Sequence, residues 1–526
     1  MEGLDFYSWI AIITAVIGIA VTSYIWYSRR NDDYWKKRGV KSLPRFNYIT
    51  LYKILTEKPL HELQLENYKK HGRILGSIGM GNKGLSIADP ELLRDILVKD
   101  FHVFHFRREL KFGDKIFDNM VSVLKGEDWK RVRTILTPVF TTKRLKMMTN
   151  IINECSQNVI NEFDKKQSAG GTVDVKRMFG TFTLDVIARA AFATKINSLN
   201  DPENIFLQHA KSFFGNFSLK MFIITLIFPT WLVRKLRLGS FDSSDFFRDV
   251  IINVIKERKE KGKRYNDILQ LLIDALDEDV KGKANKETPK VELVEDEEDQ
   301  YGSIVNKETN FTVKYKKLSQ DEMMAQCVLF FVVGYETTAA ALSFMAYALA
   351  LNPECQEKLI KEIDSAFENH KEMSYDTIRD MKYLDCVLSE TLRLYPPVIA
   401  SERSLAEDYE LRGTGITIEK DVIINFPIYA MHLDPEFFPE PEKFKPERFI
   451  EIVHPQYAYL PFGAGPRNCL GMRFALMEIK LCISNILRHY RFHLADSTKV
   501  PLDYKKGVGF LAVNELPLKV EKRTDV

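Results

Sequence analysis

The segment Phe462-Gly463-Ala464-Gly465-Pro466-Arg467-Asn468-Cys469-Leu470-Gly471 runs directly into MRFALMEIKLCISNIL, a stretch of helical periodicity. It sets a cysteine on a glycine-rich loop at a helix start. Backbone N–H groups at such a place point at the sulfur, and the helix dipole favours the thiolate, the form in which cysteine acts as metal ligand or nucleophile. The glycines let the backbone approach a flat partner closely. As a nucleophile Cys469 lacks a sequence-evident histidine base, whereas as a metal ligand it needs none. The other cysteines, Cys155, Cys327, Cys355, Cys386 and Cys482, form no C-x-x-C pair and stand beside no short histidine spacing. That excludes a zinc site or a disulfide framework and reads as buried thiols.

The N-terminus sets the compartment. Phe6 to Ser28 carries no charge, and it exceeds the roughly 20 residues needed to cross a bilayer as a helix. Glu2 and Asp5 precede it where a cleaved signal peptide would be basic, while Arg29, Arg30, Lys36, Lys37 and Arg38 follow. This asymmetry predicts a single N-terminal span with the rest of the chain in the cytosol, and Trp9, Tyr24, Trp26 and Tyr27 suit the two interfaces. Beyond it, 75 Lys and Arg against 72 Asp and Glu leave a net charge of +3. No basic excess exists to neutralise phosphates, so no nucleic-acid partner is expected.

Past the anchor the sequence reads as helices with a strand-rich minority. Arg73 to Ala88 alternates around a glycine-bearing turn and predicts a β-hairpin, after which Pro90 opens a helix. Gly79, Gly81 and Gly84 satisfy G-x-G-x-x-G, with Asp100 near the acidic position of a dinucleotide site. The residues after Gly84 continue as a strand where that fingerprint requires a helix N-terminus, so a hairpin turn is expected instead. Helical periodicity returns at Met147 to Phe163, Thr181 to Phe192, Phe246 to Arg258 and Ile268 to Leu276. Residues 280–317, with EDEED at Glu295 to Asp299, read as a solvated charged loop. Gln320 to Leu351 is an apolar helix interrupted by Gly334, Glu336, Thr337 and Thr338. Glycine weakens a helix, and a threonine hydroxyl opens its backbone ladder, which predicts an oxygen-sized groove there.

The loop pattern F-x-x-G-x-R-x-C-x-G, carried by Phe462, Gly465, Arg467, Cys469 and Gly471, resembles the haem-binding signature of the cytochrome P450 superfamily. The resemblance implies a haem b cofactor with Cys469 as its thiolate iron ligand, and Phe462 and Arg467 beside it. Further motifs follow the family's order. Glu390-Thr391-Leu392-Arg393 and Pro446-Glu447-Arg448-Phe449 resemble the Glu-Arg-Arg triad that braces the haem loop, here Glu390, Arg393 and Arg448. Trp129-Lys130-Arg131-Val132-Arg133 resembles W-x-x-x-R, which implies that Trp129 and Arg133 hold a haem propionate, with Arg403 and Arg467 as further basic contacts. Val333 to Thr337 resembles [A/G]-G-x-[D/E]-T, which implies a catalytic pair, Glu336 and Thr337, relaying protons. Val333 departs from the family's Ala or Gly and narrows the space above the haem.

The implied fold is the cytochrome P450 fold, mainly α with an α+β character, a large helical domain and a smaller β-rich one, the haem lying between the central helix and the cysteine loop. The domain plan is an anchor over 1–28, a linker over 29–48 without the family's usual proline-rich hinge, and a catalytic domain over 49–526. Phrases such as YNDILQLLIDA and PRNCLGMRFALMEIK look most like the animal microsomal branch that includes drug- and steroid-oxidising enzymes. The resemblance implies a membrane-anchored monooxygenase of the endoplasmic reticulum acting on a lipophilic small molecule. Its partners are NADPH-cytochrome P450 reductase, since no reductase domain is fused, and a small membrane haem electron carrier. Lys130 and Arg131 are expected to face outward for that docking. By analogy the pocket is walled by the Phe101 to Phe112 loop, Phe213 to Trp231, Phe331, Val332, Val398 to Ser401 and Phe510-Leu511. Met221 to Trp231 is apolar enough either to pack as a buried helix or to dip into the membrane surface, and the basic Arg234, Lys235 and Arg237 after it favour the membrane. A haem-thiolate isomerase or dehydratase needing no electrons, and a non-catalytic haem sensor or lipid carrier, are the alternatives. Such isomerases often lose the acid–alcohol pair that is present here.

Overall fold

The helix Gln320–Leu351 is buried on nearly every face, which is why its apolar residues follow no single stripe. By length and composition alone it would pass for a membrane span, but it is the core helix of this fold. A reciprocal cap starts it. Ser319 Oγ accepts from Glu322 N at 3.1 Å, and the Glu322 carboxylate accepts from Ser319 N at 2.8 Å. This computed structural model describes residues 31–525, apart from 217–229, 236–241, 278–316 and several short gaps, together with scattered positions among the first thirty. Most of the expected anchor, of the charged loop and of Met221 to Trp231 therefore lies outside the described residues.

The central helix packs chiefly on the helix Val175–Phe192. Two glycines bring them together: a Cβ on Gly180 would lie 3.3 Å from the Tyr335 ring, and one on Gly334 would lie 3.3 Å from Ile187 Cδ1. Thr183 Oγ1 adds a bond to Tyr335 O at 3.0 Å. Gly334 thus serves close packing, and the helix runs unbroken through it rather than opening as the sequence predicts. The helices Thr142–Gln167 and Met472–His489 complete this core.

Nine strands are described. β1 (Ile74–Gly79) and β2 (Asn82–Ile87) form the expected hairpin, Gly79 opposite Asn82, and Gly84 lies within β2 rather than at a helix start, so the glycine motif makes no dinucleotide site. β3 (Thr172–Asp174) lies apart, while β4 (Ser401–Ser404) reaches the first sheet. β5 (Tyr409–Leu411) and β6 (Ile416–Ile418) pair with each other. β7 (Ile423–Phe426), parallel to β2 and antiparallel to β4, completes the order β1-β2-β7-β4. β8 (Tyr490–Leu494) and β9 (Pro517–Lys522) join β3 in the order β3-β9-β8. A second hydrophobic core forms on the first sheet from Leu85, Ile87, Phe104, Ile424, Phe426 and Leu460. Trp35 is fully buried there, its Nε1 donating to Ser77 O at 3.1 Å. The architecture is the expected one, a large helical part and a smaller β-rich part. The cysteine loop joins them, because Ala464 packs with the sheet core while Phe462, Leu470 and Met472 pack with the helices.

Candidate active site

The cysteine loop is held by its own backbone. Gly463 N donates to Leu460 O at 3.0 Å and Cys469 N to Phe462 O at 2.9 Å, which folds the segment back on itself before the helix Met472–His489 begins. Gly465 has φ +73°, and a Cβ there would come 1.8 Å from Leu97 O. No other residue fits. Cys469 lies deep in the protein yet its side chain is open, whereas the other five cysteines are buried. Burial pushes its thiol up, against the Gly471 N–H and the Arg133 and Arg107 guanidinia, which pull it down. The helix-start effect expected from the sequence is present but smaller than desolvation.

Four arginines converge beside this loop. Arg467 extends over the Trp129 ring at 4.2 Å and donates to His105 O and Leu124 O, each at 2.8 Å. Arg133, one turn beyond Trp129 on the helix Gly126–Leu136, donates to Asn468 O at 2.9 Å and Asn468 Oδ1 at 2.7 Å, the residue before the cysteine. Arg403 comes from β4 and is 1% exposed. Arg107 comes from the loop after Phe104, and its charge acts on the other three. Burial first, then repulsion from neighbouring guanidinia, depresses Arg467 to about 8 and Arg403 to about 9, while burial alone lowers Arg107, against the pull of Glu402 and Cys469. The Nε atoms of Arg107 and Arg403 are buried without a partner. Glu402, the nearby carboxylate, is engaged by Arg108 at 3.1 Å. Such a cluster calls for a multivalent anion, and the two propionates of a haem supply one beside an open thiol. The residues present fit that group.

Arg107 has no signal in the sequence. It stands in FHFRREL next to Arg108, and only the tertiary placement decides which arginine turns inward. Arg131 departs in the other direction. Rather than facing outward, it binds the Glu322 carboxylate, donates to Asp128 Oδ1 at 2.9 Å and to Lys317 O at 2.5 Å, tying its helix to the start of the central helix. Lys130 pairs with Glu127 at 2.8 Å.

On the central helix Val333 is 42% exposed while Phe331 and Val332 are buried, so the helix is open at the position of the family departure. Phe331 stacks on Phe192 at 4.3 Å and Phe247 at 5.2 Å, inside an aromatic cluster. Thr337 shares the open face: its Oγ1 is exposed and donates to Val333 O at 2.7 Å. Thr338 is buried.

The expected brace is formed. Glu390 and Arg393 have no exposed side-chain area and meet in a two-pronged pair, Nε to Oε2 at 2.7 Å and Nη2 to Oε1 at 2.8 Å; Arg448 Nε reaches Oε1 at 3.0 Å. Arg393 Nη1 donates to His432 O at 2.7 Å, His432 Nδ1 meets Arg393 O at 3.1 Å, and Leu460 N donates to His432 Nε2 at 3.0 Å. This chain carries the brace into the cysteine loop, and it assigns His432 its neutral Nδ1–H form. Burial, then the Arg393 charge, lowers His432 to about 3. Because that value lies below the ordinary ~6.5, the linkage is intact above pH ~6.5 and weakens as pH falls from there. Arg393→Met is expected to lower stability by about 3–5 kcal/mol, since it leaves Glu390 charged and buried. A denaturant midpoint equal to wild type's would contradict this account of the brace.

A family model described as Cytochrome P450 matches residues 38–521. The chain is 33% identical over 517 residues to cytochrome P450 3A29 of Sus scrofa, which covers 95% of this chain and 94% of that protein. It is 34% identical over 534 residues to cytochrome P450 3A9 of Rattus norvegicus, with 98% and 97% covered. For cytochrome P450 3A11 of Mus musculus the figures are 33% over 539 residues, with 99% of each chain covered.

Proposed function

Since the chain belongs to the cytochrome P450 family, it is a haem b monooxygenase, and we propose that it is anchored in the endoplasmic reticulum membrane and oxidises a lipophilic small molecule with NADPH-derived electrons from a separate reductase. The haem, when bound, supplies dioxygen activation, and this chain's residues supply its placement and its protons. Cys469 gives the thiolate ligand. Arg107, Arg133, Arg403 and Arg467, with Trp129 beneath Arg467, hold the propionates. The observation that carries this is the convergence of four arginines, Arg403 and Arg467 buried and Arg107 and Arg133 half-buried, two of them with unpartnered buried Nε atoms, beside the open cysteine. Phe462, at the start of the loop, packs against the helical core and accepts the Cys469 N–H. Thr337, on the open face of the central helix, orders water for proton delivery, and Glu336 beside it exchanges that proton with solvent.

The monooxygenase reading is tested by incubating the purified protein with NADPH-cytochrome P450 reductase across fatty acids, steroids and plant or synthetic toxins. Oxygenated product that requires both NADPH and the reductase is expected. Product formed without NADPH would favour an isomerase. The anchor is tested separately: removing residues 1–28 should weaken membrane binding without abolishing it, because the apolar Met221 to Trp231 and the basic Arg234, Lys235 and Arg237 remain. Complete release into the soluble fraction at low salt would contradict a second membrane contact.

A further inference from the structure

The central helix turns its acid and its alcohol apart. Thr337 lies on the open face, whereas Glu336, about 100° away around the helix, approaches Lys176 Nζ with Oε1 at 3.9 Å. Lys176 stands on the first turn of the helix Val175–Phe192, next to the positive end of its dipole, an unfavourable place for a cation. Its ammonium donates to Val513 O at 2.5 Å and also lies within hydrogen-bonding reach of Lys505. Val513 and Lys505 form the base of one loop, closed by the Tyr504–Val513 bridge and by Lys505 N to Ala512 O at 2.7 Å. The same loop carries Phe510, which bridges Val398, and Leu511, whose N–H donates to Pro397 O at 3.0 Å.

A structural role does not account for this lysine. The helix start is already fastened to the chain beyond the loop without it, because Asp174 Oδ1 accepts from Leu516 N at 2.9 Å and Val175 N donates to Leu516 O at 3.0 Å. An apolar side chain would fill the same place without the cost of burying a charge beside a second cation. What only an ammonium does here is hold a carboxylate and a loop carbonyl together.

We propose that Lys176 is a positioning residue of the oxidation reaction: it holds the Glu336 carboxylate at the base of the 504–513 loop, so that displacement of that loop by a bound substrate releases the carboxylate toward Thr337. This rests on the reading of Glu336 and Thr337 as the proton-handling pair. The groups facing the ammonium are Glu336 from the central helix, Lys505 from the loop and Asp174 at its own helix cap. Burial, ahead of these charges, lowers Lys176 to about 8, so the hold is present below that pH and is lost as pH rises through it.

The test uses the full-length enzyme with its reductase and compares Lys176→Met, Lys176→Arg, Glu336→Gln and the double variant of Lys176→Met with Glu336→Gln. Lys176→Met should raise NADPH oxidation in the absence of substrate about fivefold at pH 7, the shift a partly exposed ion pair supports. It should also quicken hydrogen exchange in residues 504–513. Wild type should show a rise in substrate-free NADPH oxidation between pH 7 and 9, and Lys176→Arg should restore both readouts and remove that rise. In the Glu336→Gln background the Lys176→Met increase in NADPH oxidation should vanish. Wild-type NADPH oxidation and loop exchange in Lys176→Met, or an increase that persists in the double variant, would overturn the proposal. Unchanged product yield in Glu336→Gln alone would instead overturn the proton-handling reading on which it rests. Should Lys176→Met lose its haem, the pH profile of Lys176→Arg decides: a rise above pH 8 as steep as wild type's contradicts the hold.

Discussion

Cys469→Ser is expected to give a folded protein with no detectable monooxygenase turnover. The side chain does not hold the loop; the Cys469 N to Phe462 O bond and the turn at Gly465 do, and both survive the change. Serine is nearly isosteric but a far weaker ligand for iron than a thiolate. The loss should therefore appear in product formation and haem retention, with little difference between the denaturant midpoints of the two haem-free proteins. Cys482 is the matched control. It lies on the helix that follows the loop and is fully buried in the helical core. Cys482→Ala should retain turnover and lose only about 1–2 kcal/mol of packing. Equal turnover in wild type and Cys469→Ser would remove the basis for placing the iron at this loop.

Thr337→Ala is expected to separate electron use from product. The substitution deletes an exposed hydroxyl and a methyl from the open face of the central helix, and the hydrogen bond it breaks is the local one to Val333 O. Haem incorporation and substrate binding should persist. Proton transfer by a positioned group is typically worth 10²- to 10⁴-fold, so product formation should fall by about 10²-fold or more if no replacement water chain forms. NADPH oxidation should continue, its electrons diverted to peroxide or water, so that product per NADPH falls further than NADPH oxidation itself. Thr338→Ala removes a buried side chain on another face and should cost packing rather than coupling. Equal product per NADPH in wild type and Thr337→Ala would count against the role.

What the sequence showed of this fold lay in contiguous signals. The cysteine loop and its helix, the hairpin, the apolar central helix and the Glu390–Arg393 spacing each depend on residues close in the chain, and each is found as expected. Misread or unseen features depend on what a distant segment brings. Gly334 looked like a helix breaker because Ile187, which occupies its missing Cβ space, is some 150 residues earlier. Arg131 looked like a docking cation because Glu322 is equally remote, and the sequence does not show that the two helix ends meet. The same holds for Arg107, selected over Arg108 by the placement of β4, and for His432, which carries the brace to the loop. Lys176 reads as an ordinary helix-start lysine until Glu336 and the 504–513 loop are seen around it. The thiol of Cys469 shows the limit of a purely local argument, since the helix-start effect is real but depth in the protein decides the net direction.

The claim on which the rest depends is that Cys469 binds the haem iron as a thiolate. It is tested most directly by the absorption spectrum of the reduced carbonyl complex of the full-length protein. The account predicts the strongly red-shifted band of thiolate-ligated haem in wild type and in Cys482→Ala, and its absence in Cys469→Ser. An unshifted band in wild type, or a red-shifted band that persists in Cys469→Ser, would contradict it.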